Sequence, residues 1–174
     1  MVVVRGIALV VACGVLFSIG GGLVATTLNW LAPGYYPGVF PHANRSGYAA
    51  EVGVGTGIIQ GLMLGLVVGT VVAGGLAWFG QLQWAACARG LAILLGCAPV
   101  FGGGGGLAGL ALGVFMPGYC RGIVSGAQQP DFNPADVGVG LGTSQGIILG
   151  VIVGGLVVVT LAWARSRLAH AIDG

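Results

Sequence analysis

The sequence predicts an all-α membrane protein, with four transmembrane helices forming two tandem helical hairpins related by a pseudo-two-fold axis along the membrane normal. Three observations predict it. Of 174 residues, 56% are hydrophobic and 6% are charged, whereas a soluble domain carries about 25% charged residues. That is too little charge to coat a water-facing surface. Four segments, 6–31, 52–79, 89–116 and 137–164, each exceed the roughly 20 apolar residues a bilayer crossing needs. Finally, the second half of the chain repeats the first.

The repeat is read from two alignments. Residues 50–79 match 135–164 at an offset of 85, pairing Gln60 with Gln145, Trp78 with Trp163 and Glu51 with Asp136. Residues 5–38 match 89–122 at an offset of 84. Here Arg5 meets Arg89, Cys13 meets Cys97, Phe17 meets Phe101, and the Pro-Gly-Tyr of 33–35 meets that of 117–119. The units are 1–86 and 87–174. Each holds two spans, so both enter the membrane from the same side, as in a parallel repeat.

The first span follows Arg5 and ends near Trp30. "VVAC" at 10–13 looks like a lipoprotein cleavage site, but the apolar run before it is short for a signal-peptide core. Cys97 also occupies the same place in an internal helix. The span carries a small-residue face of Gly14, Ser18 and Gly22.

The second span carries a ladder of Gly53, Gly57, Gly61, Gly65 and Gly69, and the fourth repeats it as Gly138, Gly142, Gly146, Gly150 and Gly154. A four-residue step keeps these positions on one slowly drifting helix face. In lipid, helices associate through close van der Waals contact, which small residues permit. The ladders are therefore helix-packing faces, serving the four helices themselves or other subunits. Gly105, Gly109 and Gly113 give the third span a shorter version. In that span Pro99 precedes five glycines, Gly102–Gly106. Two outcomes are open: a kinked but closely packed helix, or a broken helix whose carbonyls line a cavity.

Arginine sets the orientation, since the chain has no lysine. Arg5, Arg89, Arg165 and Arg167 fall on one side; Arg45 and Arg121, with Glu51, Asp131 and Asp136, fall on the other. The positive-inside bias makes the first side cytoplasmic. Both termini are then inside, the long loops 32–50 and 117–136 are outside, and a bacterial inner membrane is the expected location. Trp30, Tyr35, Tyr36, Tyr48 and Tyr119 mark the outer interface, and Trp78, Trp84 and Trp163 the inner one, as aromatic belts do.

Few residues carry chemistry. Glu51 and Asp136 lie beyond the apolar core, at helix starts. "NPAD" reads as Asn133 at the N-cap, Pro134 at N1 and Asp136 at N3, where a carboxylate meets free amides and the positive helix end. Gln60 and Gln145, with Thr56, Thr143 and Ser144, form a candidate intramembrane polar site. They serve interhelical hydrogen bonding, or line a path for water, ions or a small polar solute. Cys13, Cys87, Cys97 and Cys120 lack metal-site spacing and suit small apolar filling. His42 and His170 fall on opposite sides of the membrane. "NRS" at 44–46 fits a glycosylation acceptor in an outer loop. No catalytic, cofactor-binding or metal residues are assigned, and six scattered arginines make no nucleic-acid surface. The expected role is a non-enzymatic packing or assembly subunit, with the bilayer and other copies or membrane subunits as partners. The alternative is a small channel or carrier lined by Gln60 and Gln145.

These residues support two resemblances. Duplicated hairpins with glycine-laddered helices resemble the duplicated proteolipid subunits of rotary ATPases. That family's ion-binding carboxylate lies mid-helix, and here no span holds one at that depth. The "PGYY" turn followed by "VGVGxGxxQG" is similar to a group of small, uncharacterised bacterial four-helix membrane proteins. The similarity covers most of the chain and implies the four-helix fold without an activity.

Overall fold

The computed structural model describes residues 2–40, 42, 48–124 and 132–172, with side chains through Leu168. Arg45, Asp131, the 44–46 acceptor sequence and the side chain of His170 lie outside the described residues. In chain order the helices are α1 (Val2–Leu31), α2 (Tyr35–Val39), α3 (Ala49–Trp78), α4 (Trp84–Phe115), α5 (Pro117–Ile123) and α6 (Pro134–Ile172). The described residues contain no strand. Helices α1, α3, α4 and most of α6 are long and apolar enough to cross a membrane.

These helices overrun the apolar segments. Hydropathy marks the bilayer core, whereas backbone hydrogen bonding continues until a cap or turn ends it. Helix α6 runs to Ile172, eight residues past the expected end at 164. The Arg167 guanidinium lies over the Trp163 ring, 5.6 Å from its centroid, a cation–π contact. Helix α3 ends in a Schellman motif. The Gln81 amide donates to the Leu76 carbonyl and the Gly80 amide to Ala77. Gly80 takes φ +65°, a left-handed conformation that favours glycine. Helix α4 is unbroken from Trp84 to Phe115 with Pro99 inside it. This removes the broken-helix alternative. Pro99 forfeits one backbone bond and faces outward.

The ladders decide which helices pair. A methyl group added at Gly57, Gly61 or Gly65 of α3 would strike the backbone of Gly21, Phe17 or Cys13 of α1. Partner numbers fall as ladder numbers rise, so α1 and α3 run antiparallel. Added at Gly142, Gly146 or Gly150 of α6, it would strike Gly105, Phe101 or Cys97 of α4. Each contact in one pair has its counterpart in the other at the offsets of the sequence repeat. Both ladders are thus buried against a neighbouring helix of the same chain.

The two pairs meet along a seam between α3 and α6. Gly75 lies under Val159, and Gly155 lies beside Val68 and Val72. At the end bearing the termini, one apolar core joins all four long helices through Leu9, Val72, Leu94 and Val151 among others. The Arg5 side chain donates to the Leu82 carbonyl at 3.3 Å, fastening α1 to the α3–α4 turn. At the opposite end a second core gathers Ala25, Leu28, Ala32, Tyr35, Tyr36 and Ala49. Among the described residues, none that is buried is polar or charged, tyrosine apart.

Candidate functional site

Helix α2 forms a wedge between the pairs at the end opposite the termini. Its two tyrosines part company. The Tyr36 ring covers Gly53 of α3, whereas the Tyr35 ring covers Gly140 of α6. Only glycine leaves room for a ring at either place. The Tyr36 hydroxyl donates to the Ala25 carbonyl at 3.0 Å, near the end of α1. The ring centroids are 4.9 Å apart and tilted by 53°, a favourable aromatic geometry. Burial, then the neighbouring Tyr35, push the Tyr36 phenol up to about 12. Burial also raises Tyr35, and a hydrogen bond with Ser144 partly offsets it. Burial therefore favours the neutral phenol at both positions.

Asp136 holds the wedge from the other side. Its Oδ2 accepts from the Gly34 amide at 2.8 Å, across 102 positions of sequence. Asn133 accepts from the Ala135 amide at 3.1 Å, so the N-cap is a side-chain cap, with Pro134 following it. Asp136 sits in the first turn of α6, and its carboxylate serves the loop before α2. Glu51 occupies the first turn of α3 and is exposed.

The polar spot around the glutamines is not drawn together. The hydroxyls of Thr56 and Ser144 donate within their own helices, to Val52 at 2.7 Å and Gly140 at 2.8 Å. The Thr143 hydroxyl packs over Gly106. Gln60 and Gln145 are both exposed, away from the buried valines of the α3–α6 seam. Gln145 instead lines an open groove of about 580 Å³ between α4, α5 and α6. Gly104, Ala108, Cys120, Gly142 and Leu149 also line it.

Sequence reasoning missed this groove, though the repeat contains its signal. At an offset of 84, Cys120 stands where Tyr36 stands in the first unit. Tyr36 covers Gly53 and reaches Ala25; their counterparts, Gly138 and Gly109, line the groove beside Cys120. A ring in one unit is replaced by a thiol in the other, and space remains. Among the described residues, no three His, Cys, Asp or Glu cluster as a metal site. No protein-family model, curated protein or solved structure matches the chain.

Proposed function

We propose that the protein is a non-enzymatic integral membrane subunit that joins copies of itself or other membrane subunits. It consists of two tandem hairpins, 1–86 and 87–174, related by a pseudo-two-fold axis along the membrane normal. Its termini are cytoplasmic, its α2 and α5 caps lie outside, and its membrane is a bacterial inner membrane. The carrying observation is where the glycines go. The ladders close each hairpin backbone against backbone, and the core between hairpins is apolar. The outside is then a broad apolar surface on which some glycines stay bare. At Gly20, Gly96 and Gly103 an added methyl would meet nothing within 4 Å. Bare glycines facing lipid cost helix stability and allow another helix to approach closely.

The mass of the purified protein in mild detergent tests this reading. Wild type is expected to be oligomeric, and Gly96→Leu with Gly103→Leu to give smaller particles of unchanged melting temperature. A wild-type monomer at every concentration would overturn the proposal.

One observation favours a second reading. Gln145 lines a groove, so a small channel or carrier would run along the protein's outside rather than through its core. Solute flux into vesicles that survives Gln60→Leu with Gln145→Leu would count against that reading.

A further inference from the structure

We infer that copies of the chain join head to tail, the second unit of one copy docking on the first unit of the next. The inference rests on the assembly role proposed above and departs from the two-fold axis, because the seam within the chain is made by unlike faces. Two-fold symmetry brings the same residues of both partners to an interface. Here α3 brings Val68, Val72 and Gly75, whereas α6 brings Gly155 and Val159. At the offset of 85, Gly155 corresponds to Thr70 and Val159 to Gly74. Thr70 lies two residues from Val72, about 200° around the helix. Both Thr70 and Gly74 are exposed. Each unit therefore has two docking sides, and the chain uses one side of each.

The side that the first unit leaves free is an apolar groove of about 450 Å³ between α1 and α3. Its lining includes Gly6, Val10, Thr70, Gly74 and Ala77. The corresponding positions of the second unit are Gly90, Leu94, Gly155, Val159 and Ala162. There the groove is filled. Val68 and Val72 of the first unit lie against Gly155, and Val72 lies against Gly90 as well. The chain thus shows what occupies such a groove, namely the opposite side of the same repeat. In the second unit that side carries Val153, Val157 and Leu161, at the places of Val68, Val72 and Leu76. Leu76 is 3% exposed and Leu161 is 43% exposed. A second copy therefore brings to the free groove the counterparts of the residues that fill its twin.

The caps repeat the pattern. Tyr35 covers Gly140. The counterpart of Gly140 is Gly55, where an added methyl meets nothing within 4 Å among the described residues. The counterpart of Tyr35 is Tyr119, which is exposed. In the assembly the Tyr119 ring of one copy covers Gly55 of the next. A contact between unlike faces leaves one free side at each end of a row, so copies add until a ring closes.

Cysteine pairs distinguish this contact from a two-fold one. Within the chain the Val159 Cβ lies 3.7 Å from a Cβ added at Gly75, a separation that suits a disulfide. The equivalent pair between copies is Gly74 of one and Thr160 of the next. Two full-length chains with different tags, one Gly74→Cys and one Thr160→Cys, are co-expressed and oxidised in native membranes with copper phenanthroline. A disulfide-linked product carrying both tags is expected, and either variant expressed alone should give none, as wild type. Products that join two Gly74→Cys chains, or two Thr160→Cys chains, would make the interface two-fold and overturn the proposal. Gly55→Leu adds a side chain where its own chain leaves room, so its cooperative thermal transition in detergent should remain. It should raise the concentration at which the particles dissociate by about tenfold or more. No mixed product, with an oligomer that Gly55→Leu leaves unchanged, would overturn the head-to-tail contact and leave the assembly role standing. A wild-type monomer at every concentration would overturn both.

Discussion

The two halves share their helix pairing and differ in their caps. In the first, the cap turns inward: α2 lies between the pairs, and Tyr35 and Tyr36 are almost fully covered. In the second, α5 stays beside α4 and α6, and Tyr119, the counterpart of Tyr35, is 57% exposed. Pro-Gly-Tyr leads into the first cap at 33–35 and opens the second at 117–119. The residue that follows separates them, a tyrosine at 36 and a cysteine at 120. The two halves thus agree in how their backbones pack and differ in how their caps are seated.

The ladder variants break both halves alike and should have the largest effect. Gly61→Leu and Gly146→Leu each drive a side chain into the partner backbone, costing about 3 kcal/mol or more. The double variant should lose its cooperative thermal transition in detergent. An unchanged transition would mean that the ladders do not hold the pairs. Next comes the wedge. Tyr36→Cys gives the first half the second half's residue and should cost about 3 kcal/mol, the lower end for emptying an aromatic site. If its melting temperature matched wild type, the two caps would be energetically equivalent.

The paired carboxylates sharpen the comparison further. Asp136→Ala removes a charged acceptor from the Gly34 amide and should cost about 1.5–3 kcal/mol. Glu51→Ala should change stability by under about 0.5 kcal/mol, as exposed positions do. Equal effects in chemical denaturation would erase the asymmetry. Tyr36→Phe, which leaves the ring and deletes one hydroxyl bond, should cost about 1 kcal/mol.

Alkaline titration should have the least effect near neutrality. The folded phenol of Tyr36 is raised to about 12 from an ordinary 10.0. Its contribution to stability is complete below pH 10 and is lost as pH rises through about 12. Tyrosinate absorbance should therefore include a component that ionises above the ordinary phenol range and is lost in Tyr36→Phe. A titration curve that Tyr36→Phe leaves unchanged in that range would sink this reading.

Much of this was legible in the sequence, because membrane helices declare themselves by length and apolarity. The ladders and the 84–85-residue repeat carried the equivalence of spans. They left open which helices the ladders touch, because a bare face is equally suited to a sibling or a stranger. Pro99 could not be judged locally: whether a proline helix breaks depends on the packing around it. The glutamines misdirected attention. A polar residue near a ladder can point along it or away from it, and one helical position decides. The Asp136–Gly34 contact was invisible, since helix-start chemistry explains a carboxylate at N3 without asking what lies across the seam. Cys120 in place of Tyr36 was readable as a mismatch, but its meaning needed the ring to be seen on Gly53.

The wedge also imposes an order of events on a chain made from one end. Helices α1 and α3 can close on each other as soon as the first 80 residues have entered the bilayer, because every ladder contact between them is local to that unit. Helix α2, by contrast, needs Gly140 beneath Tyr35 and Asp136 against Gly34, and both belong to the last span. Until that span arrives, Tyr35 lacks its glycine, whereas Tyr36 already has Gly53 and the Ala25 carbonyl. A chain stopped before Asp136 would keep its first pair and the Tyr36 contacts but would lack those of Tyr35 and the Gly34 amide.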